Sequence, residues 1–140
     1  MSNEDIWLTV ATDVIGGGKL DLIDELFAPD FQEHLPQPPG MPTGRDGFRL
    51  FCTQLHQAFP DLTCDIVHKF DSGDKQIGHV RLAGTMTGEF FGMPPANKHA
   101  TWEEMHIVRV DDGQVKEHWG VVDQFGMLQQ LGFAPAPGGH

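Results

Sequence analysis

Ile6, Val10 and Val14 make one apolar stripe at helical spacing. Ser2 or Asn3 can cap that helix, and Glu4 and Asp5 suit its positive end. Gly16, Gly17 and Gly18 stop it, and a second short helix carries Leu20, Ile23, Leu26 and Phe27 up to Pro29. Phe31 to His34 fits a short strand, after which Pro36, Pro38, Pro39 and Pro42 forbid regular structure. A third helix opens at Thr43 or Gly44, repeats Phe48, Phe51, Cys52, Leu55 and Phe59 along one face, and closes at Pro60. From Leu62 the period drops to two, with Leu62, Cys64 and Ile66 alternating against Thr63 and Asp65 before a turn at Asp71 to Asp74. Further strands are predicted from about Lys75 to Thr87, His99 to Val110 and Gln114 to Asp123, then a terminal helical turn through Phe125, Leu128 and Leu131. Helices first and antiparallel strands afterwards define an α+β domain, with helices covering one face of a curved sheet. Residues 1–133 form this single domain, and 134–140 a flexible Pro and Gly tail.

The segment Asp111-Asp112-Gly113 controls which side chains meet. As a three-residue hairpin connection, with glycine at the position that needs φ > 0, it pairs Val110 with Gln114. Val108 then faces Lys116, His106 faces His118, Glu104 faces Gly120 and Trp102 faces Val122, so two histidines and a glutamate share one sheet face. A two-residue turn at Asp112-Gly113 would instead put His106 and His118 on opposite faces. In the first register, Phe residues of the third helix and the loop Glu89 to Pro95 close an apolar pocket over these polar groups, the form of a small-molecule site. A filled core with satisfied histidines is the other reading.

Twenty Asp and Glu against nine Lys and Arg give a net charge of −11, which repels phosphate backbones and anionic lipid. Neither nucleic acid nor a membrane is an expected partner. No run approaches the roughly 20 apolar residues that cross a bilayer, and the acidic N-terminus is unlike a signal peptide, so a cytoplasmic location is expected. The absence of Tyr removes any phenolic acid, and Ser2 and Ser72 are poor nucleophiles by position. Cys52 and Cys64 fit as small buried hydrophobes, with no disulfide. Histidine, with eight copies, is the unusual residue.

The chain resembles the SnoaL-like polyketide cyclases, or ester cyclases, of the nuclear transport factor two-like superfamily. The resemblance covers about residues 6 to 132. It rests on Leu26 to Phe31, on Gly44-Arg45-Asp46-Gly47-Phe48, on Ala58-Phe59-Pro60-Asp61-Leu62 and on Gly84 to Pro95. Asp112 to Trp119 and Leu128-Gln129-Gln130-Leu131-Gly132 complete it. It implies a cone-shaped, cystatin-like fold, in which N-terminal helices and a strongly curved antiparallel sheet enclose a deep pocket, commonly in a homodimer. It also implies cofactor-independent chemistry, an intramolecular aldol condensation that closes a ring of a polyketide ester. An aspartate on the last strand serves there as acid/base, with a histidine on the preceding strand nearby. The histidine matches His106, whereas the aspartate position is Gly120.

The expected function is therefore a polyketide cyclase or related carbon-acid enzyme acting on a polyketide-like ester or ketone. His106, His118 and Glu104 are the candidate catalytic residues, with imidazole in place of the aspartate. Substrate-binding candidates are His34, Phe51, Leu55, Phe59, Phe90, Met93, Trp102 and Gly120. The alternatives are a non-catalytic small-molecule binding protein, or a relative doing dehydration, isomerisation or epoxide opening. Three histidines and Glu104 in one pocket would suit zinc, but no compact ligand motif such as His-Glu-x-x-His occurs, so no metal is expected, and the resemblance implies no cofactor. Met105, Ile107, Val115, Trp119 and Val121 are expected on the outer sheet face, which a second subunit would cover.

Overall fold

A computed structural model describes residues 5–135. Helix α1 (Ile6–Thr9) runs on as a π-helix (Val10–Gly16), and a 3-10 turn (Leu20–Leu22) leads into α2 (Ile23–Leu26). Strand β1 (Phe27–Glu33) follows, then α3 (Gly44–Ala58), β2 (Thr63–Ser72), β3 (Lys75–Thr85), β4 (His99–Asp111), β5 (Gln114–Val122) and α4 (Gln124–Leu131). The five strands form one sheet in the order β1-β5-β4-β3-β2. The expected cap at Ser2 or Asn3 and most of the expected tail lie outside the described residues.

The first helix is not one regular α-helix, because its π segment turns Ala11 and Ile15 inward beside Val10 and Val14. The stripe widens to Ile6, Trp7, Val10, Ala11, Val14 and Ile15, all buried against the sheet. Strand β1 starts at Phe27, four residues before the expected start, since Phe27 and Ala28 both enter the core. It pairs with β5 in parallel, so the sheet is mixed rather than wholly antiparallel. Pro29 lies where the β1 register shifts between Phe27 and Gln32, and it is tolerated because β1 is an edge strand.

Along β4 the even positions Trp102, His106, Val108 and Val110 point into the core, while Met105 and Ile107 point outward. Phe59 and Trp102, with ring centroids 5.2 Å apart, join α3 to this inner face. Val115 departs from the expectation of an outward position. It is buried opposite Phe27, for a reason that lies in the hairpin described below. Both cysteines are free thiols, and burial pushes each up to about 12, which suits small apolar side chains rather than nucleophiles.

Asp61, just past α3, accepts the backbone N–H of Thr85 at 2.7 Å and thereby ties the helix end to the end of β3. That hydrogen bond holds its carboxyl below the usual carboxylate range. A depressed carboxyl contributes stability above its unfolded value of about pH 4, and the contribution is lost as pH falls through the folded value. Asp61→Asn is therefore expected to lower the melting temperature at pH 7 and to reduce its dependence on pH between about 5 and 2, measured by calorimetry across that range.

Candidate active site

The β4–β5 hairpin does not close through three residues. Asp111 pairs with Gln114, so Asp112 and Gly113 form a two-residue turn with φ of 53° and 73°, the left-handed conformation favoured by Asp-Gly. By itself this turn would separate the two histidines. A β-bulge restores them: Val110 pairs with Val115 but Arg109 pairs with Glu117, leaving Lys116 as the extra residue on β5. Beyond the bulge Val108 faces His118, His106 faces Gly120 and Glu104 faces Val122. His106 and His118 thus share the inner face as diagonal neighbours rather than as a direct pair. The extra residue also lets Val115 point inward together with His118.

His106 Nδ1 and His118 Nε2 are 2.7 Å apart and hydrogen bonded. At the far side of each ring stands a carboxylate: Glu104 Oε1 is 2.8 Å from His106 Nε2, and Glu33 Oε1 is 2.6 Å from His118 Nδ1. Trp102 Nε1 donates to Glu104 Oε2 at 2.7 Å, and the backbone N–H of Leu35 donates to Glu33 Oε1 at 3.0 Å. Trp7 covers the pair, its ring centroid 4.9 Å from that of His106 and 6.2 Å from that of His118.

Proton count follows from donors and acceptors. Each outer ring nitrogen meets a carboxylate oxygen and the two inner nitrogens meet each other, so three protons fill the three hydrogen bonds. Two neutral imidazoles carry only two. Filling all three hydrogen bonds therefore takes one proton more than two neutral imidazoles supply.

Gly120 makes this string possible. A Cβ there would stand 2.9 Å from His106 Nδ1 and 3.3 Å from both Cε1 and Nε2 of His118. The space that a side chain at 120 would take is the space beside the imidazole–imidazole bond.

Two adjoining cavities open on the string. The inner one, about 40 Å³, is bounded by Trp7, Phe27, Glu33, Cys52, Glu104, His106, Val108 and His118 among others, and the outer one, about 310 Å³, by Phe90, Phe91, Trp102, Gln124 and Met127 among others. Leu35, Gln37, Phe51, Leu55, Glu104 and Val122 belong to both walls. The inner space holds little more than one water. Only a small functional group reaches the imidazoles, and the body of any ligand lies in the outer chamber. A larger groove of about 1,040 Å³ lies outside, between the proline segment and the start of α3. Its cations Arg45 and Arg49 are paired with Asp24 and Asp46, and neither imidazole reaches it.

Of the expected substrate-binding residues, Phe51, Leu55, Phe90 and Trp102 line the cavities. Four fall elsewhere, among them Gly120, which lines neither cavity and stands beside the imidazole–imidazole bond. Phe59 is fully buried between Phe90 and Trp102, behind the cavity wall. Met93 closes the loop back onto Phe90 through backbone hydrogen bonds. His34 follows Glu33 and points the other way, stacking on Trp119 at 4.9 Å and bonding to Glu117 at 2.9 Å on the outer face. Glu33 is the residue the sequence reading passed over. Its signal was present, because Phe31 is a core residue and strand alternation puts Glu33 on the same face. Among the described residues no group of three or more His, Cys, Asp or Glu is disposed to hold a metal ion.

This arrangement of helices and sheet has known counterparts. Residues 6–131 match the family of SnoaL-like polyketide cyclases, and the chain belongs to that family. It is 28% identical over 116 residues to the nogalonic acid methyl ester cyclase of Streptomyces nogalater, covering 82% of this chain and 87% of that one. With the aklanonic acid methyl ester cyclase DauD of Streptomyces sp. strain C5 it shares 27% over 112 residues, 79% of this chain and 67% of the relative. The crystal structure of IdmH from Streptomyces antibioticus superposes with a TM-score of 0.80 at 31% identity, covering 94% of this chain and 99% of IdmH.

The position of Gly120 sets a test of the site's construction. Gly120→Asp, which the sequence register would have set opposite Glu104, instead drives a side chain between His106 and His118. It is expected to break the imidazole–imidazole bond, to lower stability by about 1–3 kcal/mol, and not to improve turnover. A structure of the variant, with its melting curve, checks this.

Proposed function

We infer that this protein is a cofactor-independent cyclase that closes a ring of a neutral polyketide-type ester by intramolecular aldol condensation. The observation that carries the reading is the Glu33–His118–His106–Glu104 string at the floor of an apolar cavity. An aldol closure needs a base for a proton next to a carbonyl and a donor for the alkoxide that forms, and a chain of shared protons supplies both. The names of the methyl ester cyclases to which the chain is similar support the substrate class. So does electrostatics, because the cavity walls contain Glu33 and Glu104 but no lysine or arginine. A free carboxylate would meet repulsion with no cation to offset it, whereas its ester would not.

The reading includes a homodimer through the outer sheet face. Met105, Ile107 and Val121 are 44%, 38% and 67% exposed there, a patch that a second copy would cover. No helix among the described residues is long and apolar enough to cross a membrane.

Two measurements test these statements. With nogalonic acid methyl ester as substrate, His118→Ala is expected to lower kcat by about 10²–10⁴ with little change in ligand affinity; a non-catalytic binding protein would show no turnover and weaker binding in the variant. Light scattering is expected to give twice 15.5 kDa for the dimer, and a concentration-independent monomer would reject it.

A further inference from the structure

We propose that Glu33 is the acid/base carboxylate of this site, standing on β1 in place of the carboxylate that Gly120 excludes from β5; the assignment rests on the carbon-acid reading above. The geometry separates the four members of the string by what they have left to offer. His106 and His118 each commit both ring nitrogens. Glu104 commits both oxygens, Oε1 to His106 and Oε2 to Trp102. Glu33 receives both its hydrogen bonds, from His118 and from the Leu35 backbone, on Oε1. Its Oε2 has no partner among the described residues, yet it is not one of the sealed, unpaired polar atoms of the interior. Among the described residues Glu33 Oε2 is the one carboxylate oxygen of the string that accepts no hydrogen bond, on a side chain that borders both the inner cavity and the outer groove, and it can take a proton with the whole string intact.

The other three side chains then hold that carboxylate in place. Trp102 fixes Glu104, Glu104 fixes the ring of His106, His106 fixes His118, and His118 N–H fixes Glu33 Oε1, leaving Oε2 directed by the remaining geometry. Parallel pairing of β1 with β5 supplies the reach, since Glu33 is the register partner of His118. In the reaction, Glu33 Oε2 takes the proton next to the substrate carbonyl and the C–H electron pair becomes the enolate. The enolate carbon forms the new C–C bond to the acceptor carbonyl carbon, whose π pair moves to oxygen. The Oε2–H proton passes to that alkoxide and the carboxylate is restored. Nothing is oxidised or reduced, and no co-reactant is needed.

The test uses the full-length protein and nogalonic acid methyl ester, with Glu33→Gln, Glu33→Asp and Glu33→Ala compared at saturating and limiting substrate. Glu33→Gln is expected to lower kcat at least 10²-fold with KM within threefold, and Glu33→Asp to recover part of the loss. Added formate is expected to raise the turnover of Glu33→Ala in a saturable way, as a small carboxylate enters the vacated space. A residue that only supported the fold would not respond to formate. Turnover by Glu33→Gln within threefold of the wild type, or a loss confined to KM, would overturn the assignment and leave the cyclase reading intact. A wild type without turnover on the ester would overturn that reading and this assignment with it.

Discussion

Everything distinctive about this site depends on a 2.7 Å hydrogen bond between two imidazoles, His106 and His118. Such a bond exists only if one ring donates and the other accepts, and so it dictates how many protons the neighbouring groups share. Burial raises the stakes, because both rings are nearly sealed from solvent and a lost partner would leave a polar nitrogen unpaired. The two carboxylates at the ends and the indole N–H beyond one of them complete a set in which each ring nitrogen has a partner. Order in this set comes from satisfied polarity, and its position comes from apolar packing around it.

That packing is the work of the fold's asymmetry. The sheet has one face for the core and one for the outside, and its inner face is roofed by the π-bearing N-terminal segment and by α3. Trp7 lies on the roof side of the imidazole pair, and Phe27, Phe48 and Val108 supply apolar wall. Within such walls a hydrogen-bonded string is electrostatically stronger than it would be in water, and water is confined to the small space above it. The same confinement limits access to one small group of a ligand.

How far the sequence discloses this arrangement depends on which physical signal is asked. Periodicity places α3 within a residue or so and gives β3, β4 and β5, because long amphipathic segments leave strong patterns. It also points His106, His118 and Glu104 to a common face. That outcome was reached in the structure by a different route: a two-residue turn whose parity is reversed by a bulge at Lys116. Nothing in the Gln114 to Glu117 sequence marks the extra residue, whose result, Val115 facing inward opposite Phe27, is visible only in the assembled sheet. Residue Glu33 was legible through Phe31, but the short strand made its neighbour His34 look equally available. The alternation that takes Glu33 inward sends His34 out to Trp119 and Glu117.

Gly120 shows why a single position cannot be read apart from its neighbours. The resemblance to the SnoaL-like cyclases implies a carboxylate on the last strand near one histidine, at the position where this chain has Gly120. Here two histidines occupy that space through their mutual bond, with carboxylates displaced to β1 and β4. A side chain at 120 interferes with the imidazole pair, because its Cβ would stand 2.9 Å from His106 Nδ1 and the ring would have to shift. A further carboxylate would also stand close to Glu33 and Glu104 with no lysine or arginine in the cavity walls to offset it. The glycine leaves the room in which His106 and His118 bond to each other, with Glu33 and Glu104 holding the outer ring nitrogens.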